Sequence, residues 1–267
     1  MKNLYIISFL SMLAFSACQP QEKAQNTNAS QDQEFLEQAV IWHQQAGEYQ
    51  ALCFQAYNQA AWTLQQKVAN NKEGLSLAVV LDLDETVLDN SPYSAAGILE
   101  DQPYTSETWK TWTDKAQARA IPGAKEFLLL ADSLGIQLFY ISNRKVNELE
   151  ATMKNMDSLG MPQVETAHFL LRDAESNKQN RRNKVLENHQ IALLIGDNLN
   201  DLHEMFEEKG TEERNALVAT NRQRFGTDYI VIPNAIYGSW ETALYGYEKH
   251  LSEAQKDSVR NSVLRTE

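Results

Sequence analysis

Between residues 35 and 68 the apolar positions recur at helical spacing: Leu36, Ala39, Val40, Tyr49, Leu52, Ala56, Ala60, Leu64 and Val68. No proline interrupts the run, so it predicts one or two long helices, closed by Asn70-Asn71-Lys72-Glu73-Gly74. Then the period changes. Residues 77–82 (LAVVLD) are a continuous, β-branched stretch of strand length. Similar stretches follow at 136–142 (IQLFYIS), 167–171 (AHFLL), 191–197 (IALLIGD) and 228–233 (DYIVIP). Helical patterns lie between them, at 124–135 and 145–160. Apolar strands alternating with helices predict an α/β fold, a parallel sheet with helices on both faces. Residues 211–227 carry no clear period.

The first 18 residues, MKNLYIISFLSMLAFSAC, combine Lys2, an apolar stretch over 4–15, and the small residues Ser16 and Ala17 ahead of Cys18. The stretch is shorter than the ~20 apolar residues that span a bilayer, and it reads as an export signal. A cysteine after small residues at this point resembles a bacterial lipobox. That implies removal of residues 1–17 and a lipid on Cys18, although Phe15 stands where leucine is commoner. Residues 18–32 are polar and read as a flexible tether. The expectation is a chain held in the cell envelope by a membrane anchor on Cys18. Gln19 does not resemble the aspartate that retains lipoproteins at the inner membrane, which favours the outer membrane. Cys53 is the only other cysteine, so no intramolecular disulfide is expected.

The length, 267 residues, suits one large domain or a domain with an accessory cap. Net charge is -12, which argues against nucleic acid as a partner. An acidic enzyme acting on an anion needs local positive charge or a bound cation at its site.

The strand ends supply the chemistry. Asp82 and Asp84 close the first strand, Ser142 with Asn143 and Arg144 closes the second, and Asp197 with Asp201 follows the fourth. A lone aspartate after a strand is usually a turn residue or helix cap. In a parallel sheet, however, all these ends lie on one edge, where ligands bind. Four carboxylates that close must be paired, protonated or metal-bound, and hard oxygen ligands favour Mg2+. The basic run 173–184 (DAESNKQNRRNK) precedes the fourth strand; Arg181 and Arg182 in it are expected to be partly a solvated helix face.

LDLDETVLD, ISN, a lysine segment and GDNLND, in this order, resemble the four motifs of the haloacid dehalogenase-like (HAD) phosphatases. VVLDLDETVLDNSPY, YISNR, SNKQNRR, GDNLNDL and PNAIYGSWE, with the lipobox, are similar to the class C bacterial acid phosphatases, lipoproteins that dephosphorylate nucleotides and other phosphomonoesters. Leu202 departs from that pattern, since an aromatic residue usually follows the fourth motif; the change should affect packing more than chemistry.

The resemblance implies a HAD-like Rossmannoid core with a small helical cap. Residues 75–91 and 121–250 would form the core and 92–120 the cap, to which helices in 33–74 contribute, with 251–267 as a C-terminal tail. It implies Asp82 as nucleophile, Asp84 as general acid and base, and Ser142 and Lys178 as phosphate-binding catalytic groups, with Lys184 the alternative lysine. Mg2+ would be held by Asp82, the Asp84 carbonyl and Asp197, supported from outside its ligand set by Asp201. Asn143 would offer its main-chain N–H to the phosphate, and Trp109 and Tyr237 would sandwich an aromatic group such as a nucleobase. The expected partner is a small-molecule phosphomonoester; a homodimer is an expectation by analogy alone. The remaining alternatives are a phosphotransferase on the same scaffold or an inactive HAD-like binding protein. Dehalogenation is disfavoured because it needs no leaving-group proton from Asp84. Motifs of the histidine acid phosphatases (RHGxRxP), zinc sites (HExxH, CxxC) and serine hydrolases (GxSxG) are absent.

Overall fold

In the computed structural model, residues 34–266 are described; Cys18 and the tether lie outside them. The N-terminal helical pattern forms α1 (Glu37–Gln45) and α2 (Gly47–Asn70), separated at Ala46, whose extended backbone (ψ 127°) ends one helix and starts the next. β1 (Leu77–Leu81) follows. An antiparallel pair, β2 (Leu88–Asp89) with β3 (Arg119–Ala120), brackets α3 (Ser91–Leu99) and α4 (Ser106–Thr113). The chain continues through α5 (Ala124–Ser133), β4 (Gln137–Lys145), α6 (Leu149–Ser158), β5 (Phe169–Arg172), α7 (Gln179–Leu186) and β6 (Gln190–Gly196). Last come α8 (Leu199–Leu202), α9 (Thr211–Thr220), β7 (Tyr229–Val231), α10 (Ser239–Leu244) and α11 (Glu253–Val263).

The five long strands form one parallel sheet in the order β5-β4-β1-β6-β7, so β1 is central. Every residue of β1 is buried, as a strand covered on both faces requires. Its side chains divide by the two-residue period of a strand. Leu77, Val79 and Leu81 enter the main core with Tyr57, Leu64 and Phe127, whereas Ala78 and Val80 pack on the other face with Ile141 and Val185.

The buried positions of α2, Tyr49, Cys53, Tyr57, Ala60 and Leu64, are three or four residues apart and make one stripe. That stripe lies against α5 and the sheet, while α1 packs on α3. Most of the described N-terminal helical segment therefore belongs to the layer covering the sheet, while α1 packs against the 92–120 region through α3. The described residues cluster as one compact unit. The unclear 211–227 stretch is largely α9, a helix with Arg214 as its buried residue. No described helix is long and apolar enough to cross a membrane.

Candidate active site

Asp82 stands one residue past β1, yet the sheet still holds it: its N–H donates to the Ile195 carbonyl at 2.9 Å. The chain then turns sharply. The Leu83 carbonyl accepts from the N–H groups of Val87 and Leu88, each at 2.8 Å, and Glu85 takes a left-handed backbone (φ 58°). The turn separates the two aspartates. Asp82 points into a cluster with Asp197 and Asp201, one carboxylate oxygen of each lying within 4.8 Å of the others. Asp84 points to a different set of partners. Arg144 Nε and Nη2 donate to its Oδ1 at 2.9 and 2.8 Å, and Asn90 Nδ2 donates to the same atom at 2.9 Å. Ser142 Oγ donates to Asp84 Oδ2 at 3.3 Å and accepts the Arg144 N–H at 3.0 Å.

Lys178 is buried and joins the acid cluster, bonding to Asp82 and, at 2.7 Å, to Asp201 Oδ1. Lys184, by contrast, is exposed on α7. Asp201 Oδ2 accepts the Asn198 N–H at 3.0 Å, which caps α8 and fixes the turn after β6. Gly196 is required there, because a Cβ at this position would meet Asp201 Oδ2 at 2.6 Å. Asp197 accepts from Thr86 Oγ1 at 3.1 Å and from Asn234 Nδ2 at 2.8 Å.

Burial pushes the Asp82 carboxyl up to about 7, against the pull of Lys178 and with the push of Asp201 and Asp84. Burial, then repulsion from Asp201 and Asp82, also holds Asp197 well above the ordinary carboxylate range. One lysine thus faces three converging carboxylates, leaving an uncompensated negative site built of hard oxygen donors. This donor set fits a divalent cation.

Above the cluster lies a cavity of about 450 Å3, a size suited to a small ligand. Asp82, Asp84, Asn143, Lys178, Asp197 and Asp201 line its floor, and Trp109 and Tyr237 line its walls. Trp109 stacks edge-on against Tyr93 at 5.2 Å and covers the Arg144 guanidinium at 5.7 Å. The Tyr237 hydroxyl donates to the buried Glu85. Every expected site residue within the described chain is therefore at this edge of the sheet. Ser142 contributes to the floor indirectly, since it is fully buried beneath Asp84.

Arg181 and Arg182 correct an expectation. Both are buried. Arg181 donates to the Ser142 carbonyl at 2.6 Å and to Asn143 Oδ1 at 2.7 Å. Arg182 donates to the carbonyls of Asn200 and Asp201 at 3.2 and 3.0 Å. Arg181 thereby ties α7 to the end of β4 and Arg182 ties it to α8, two elements that carry site residues. The structure adds Arg144, Thr86 and Asn234 to the site. Arg144 could have been suspected from its place directly after Ser142-Asn143. Asn234 belongs to the PNAIYGSWE segment, but its contact could not be read there, because it reaches Asp197 from the loop after β7.

The parallel sheet and the acid cluster beyond its carboxyl edge define a HAD-like α/β protein. A family model described as HAD superfamily, subfamily IIIB (acid phosphatase), matches residues 6–240, and the chain belongs to that family, among the phosphatase hydrolases. It is similar to the class C acid phosphatase from Bacillus anthracis, at 41% identity and TM-score 0.85 over 88% of this chain and 99% of that one. The same protein with tungstate bound aligns at TM-score 0.83, again 41% identical, over 89% and 98%. Among curated proteins the chain is similar to a stem 31 kDa glycoprotein and a stem 28 kDa glycoprotein of Glycine max. They are 26% and 27% identical over 129 and 132 residues, 46% of this chain. The match spans about half the length of those relatives, 51% in each case.

Proposed function

We propose that the protein is a Mg2+-dependent acid phosphatase that hydrolyses nucleoside monophosphates and aryl phosphates through an aspartyl-phosphate on Asp82. The observation that carries this reading is the placement of Asp82. Its carboxylate is aligned by Lys178 at the centre of the acid cluster and opens into the cavity, while Asp84, two residues on, is turned to another set of partners.

In the first step an Asp82 oxygen attacks phosphorus and the bond to the leaving oxygen breaks. Asp84 gives that oxygen a proton. In the second step Asp84 takes a proton from water, the water oxygen attacks phosphorus, and inorganic phosphate leaves with Asp82 restored. Arg144 and Asn90 aim the Asp84 carboxyl, and Ser142 fixes its second oxygen. Lys178 and the Asn143 main-chain N–H would bind the phosphoryl oxygens. Asp82, the Asp84 carbonyl and Asp197 would hold Mg2+, with Asp201 in support; the cation supplies charge compensation between nucleophile and phosphate dianion. Trp109 and Tyr237 would clamp an aromatic leaving group. A lipid on Cys18 would keep the enzyme at the cell envelope, at the outer membrane.

Phosphate release from nucleoside monophosphates and p-nitrophenyl phosphate at pH 5 to 8, with Mg2+ or with EDTA, tests the reading. Release that EDTA abolishes, that Mg2+ restores and that Asp82→Asn eliminates is expected. Metal-independent release would remove the carboxylate–cation site from the mechanism, and no release at all would favour a binding protein.

A further inference from the structure

Arg172 is the last residue of β5 and sits half-buried at the side of the main cavity. Unlike Arg144, Lys178, Arg181 and Arg182, it has no hydrogen-bond or ion-pair partner among the described residues. That is costly to explain by folding alone, since a chain of net charge -12 offers many carboxylates to an idle guanidinium. Beside it lies a second, smaller cavity of about 40 Å3, room for roughly three water molecules or the oxygens of one anionic group. Tyr104, Trp109, Asn143 and Arg172 form the wall common to the two cavities. Lys145, exposed and likewise without an ion-pair partner among the described residues, lines the small cavity on its other side. The other two charged residues lining the small cavity, Glu148 and Lys110, are already engaged. Glu148 holds the Thr113 hydroxyl at 2.9 Å and the Lys145 N–H at 2.6 Å. Lys110 is paired with Asp114 at 2.7 Å.

We propose that Arg172 and Lys145 form a second anion subsite, which selects phosphomonoesters whose leaving group carries another phosphate on a different carbon. The subsite rests on the phosphatase reading for its place beside the scissile group. The sheet supplies the spacing. Arg172 stands opposite Lys145 in the β4–β5 register, and β5 is two strands from β1. At ~4.8 Å per strand, the Arg172 backbone is about 10 Å to the side of the Asp82 strand end. In a diphosphate the phosphorus atoms are bonded through one oxygen, which keeps the second phosphate close to the first and away from the β5 side of the site. A nucleoside 3′,5′-bisphosphate has a sugar between its phosphates and can span them.

The test is calorimetric titration of the full chain carrying Asp82→Asn, in Mg2+, with AMP, ADP and adenosine 3′,5′-bisphosphate. The readout is the ratio of Kd for AMP to Kd for the bisphosphate. A ratio of about tenfold or more is expected, the size of one added charge-assisted contact. Adding Arg172→Gln should bring it to within about twofold of one, Lys145→Gln should lower it in part, and Arg172→Lys should keep part of it. Lys184→Gln, the same loss of charge on the exposed face of α7, should leave it unchanged. A ratio near one in the Asp82→Asn protein, a ratio that survives Arg172→Gln, or an equal gain with ADP would each overturn the subsite. Phosphate release by the unsubstituted protein is scored separately. Its absence alongside an intact binding ratio counts against the phosphatase reading and leaves the subsite standing.

Discussion

Arg144 places two nitrogens on a single oxygen of Asp84, Nε at 2.9 Å and Nη2 at 2.8 Å, and is itself 2% exposed. Burial disfavours its charge, but the Asp84 carboxylate outweighs that and raises its pKa above the ordinary value. Removing one partner of a buried pair leaves the other uncompensated, at a cost of about 3–5 kcal/mol. Arg144→Met should lose about that much in urea denaturation, and phosphate release should fall by at least about tenfold because Asp84 is no longer aimed. Asp84→Asn with Arg144→Met should be more stable than Arg144→Met alone. Equal stability of the two would mean that the Asp84 carboxylate left without its arginine costs nothing.

Lys178 and Lys184 separate cleanly. Lys178 is buried between Asp82 and Asp201, and Lys184 is exposed. Loss of a preorganised charge at a developing phosphoryl transition state costs on the order of 10²–10³ in kcat. Lys178→Ala should show that loss, with Lys184→Ala within about twofold of the unsubstituted protein. Lys178→Ala also leaves three carboxylates without their one fixed cation, so Mg2+ should raise its Tm more than it raises that of the unsubstituted protein. A single activity assay and a thermal melt on each variant decide both points.

How much of this was legible in the chain depended on whether the signal was local. LAVVL and IALLI are continuous apolar runs, and strands buried on both faces leave that mark. Because parallel strands end on one edge, Asp82, Ser142 and Asp197 could be grouped before any coordinates were known. Arg181 and Arg182 could not be read in the same way. Two arginines in a polar run look solvated until the carbonyls of Ser142 and Asp201, far away in sequence, are placed beside them. The covering role of α2 was hidden for a related reason: its stripe from Tyr49 to Leu64 looks the same whether it packs on a sheet or on a cap. α9 was hidden because its one buried side chain is Arg214, held by the Phe206 carbonyl at 2.6 Å, and no apolar period announces it.

Trp109 and Tyr237 differ in how firmly they are held, and that difference predicts different kinetics. Trp109 is packed against Tyr93 and lies over Arg144, whereas Tyr237 is 40% exposed and tethered by its hydroxyl to Glu85. Stacking of a base on an aromatic ring is worth ~1–3 kcal/mol. Trp109→Ala should therefore raise KM for nucleoside monophosphates by roughly 5- to 150-fold, with a smaller rise for a substrate lacking an aromatic group, such as glycerol phosphate. Tyr237→Phe keeps the ring and removes only the tether, so it should raise KM less than Tyr237→Ala does. Steady-state kinetics on the two substrates separates a stacking role from a purely structural one, which would affect both substrates equally.

Asp89 gives the clearest pH dependence of stability. Its carboxylate accepts the Ser91 N–H at 2.9 Å, capping α3, and lies 3.2 Å from the buried His43 ring of α1, a contact without hydrogen-bond alignment. Burial pushes the carboxyl up, but His43 and Ser91 more than reverse this and leave it below 3.8. A carboxyl held below its unfolded value binds fewer protons when folded. Its contribution is then fully present above about pH 4, and it is lost as pH falls through the folded value. Asp89→Asn should cost about 1.5–3 kcal/mol at pH 7, the range for a hydrogen bond to a charged group. The gap from the unsubstituted protein should narrow below about pH 4, as the carboxyl takes up its proton. Urea denaturation at pH 7, 5 and 3 measures it. A gap that widens between pH 5 and pH 3 would mean that the carboxyl is stabilised in its protonated form, the opposite of what its contacts with Ser91 and His43 require.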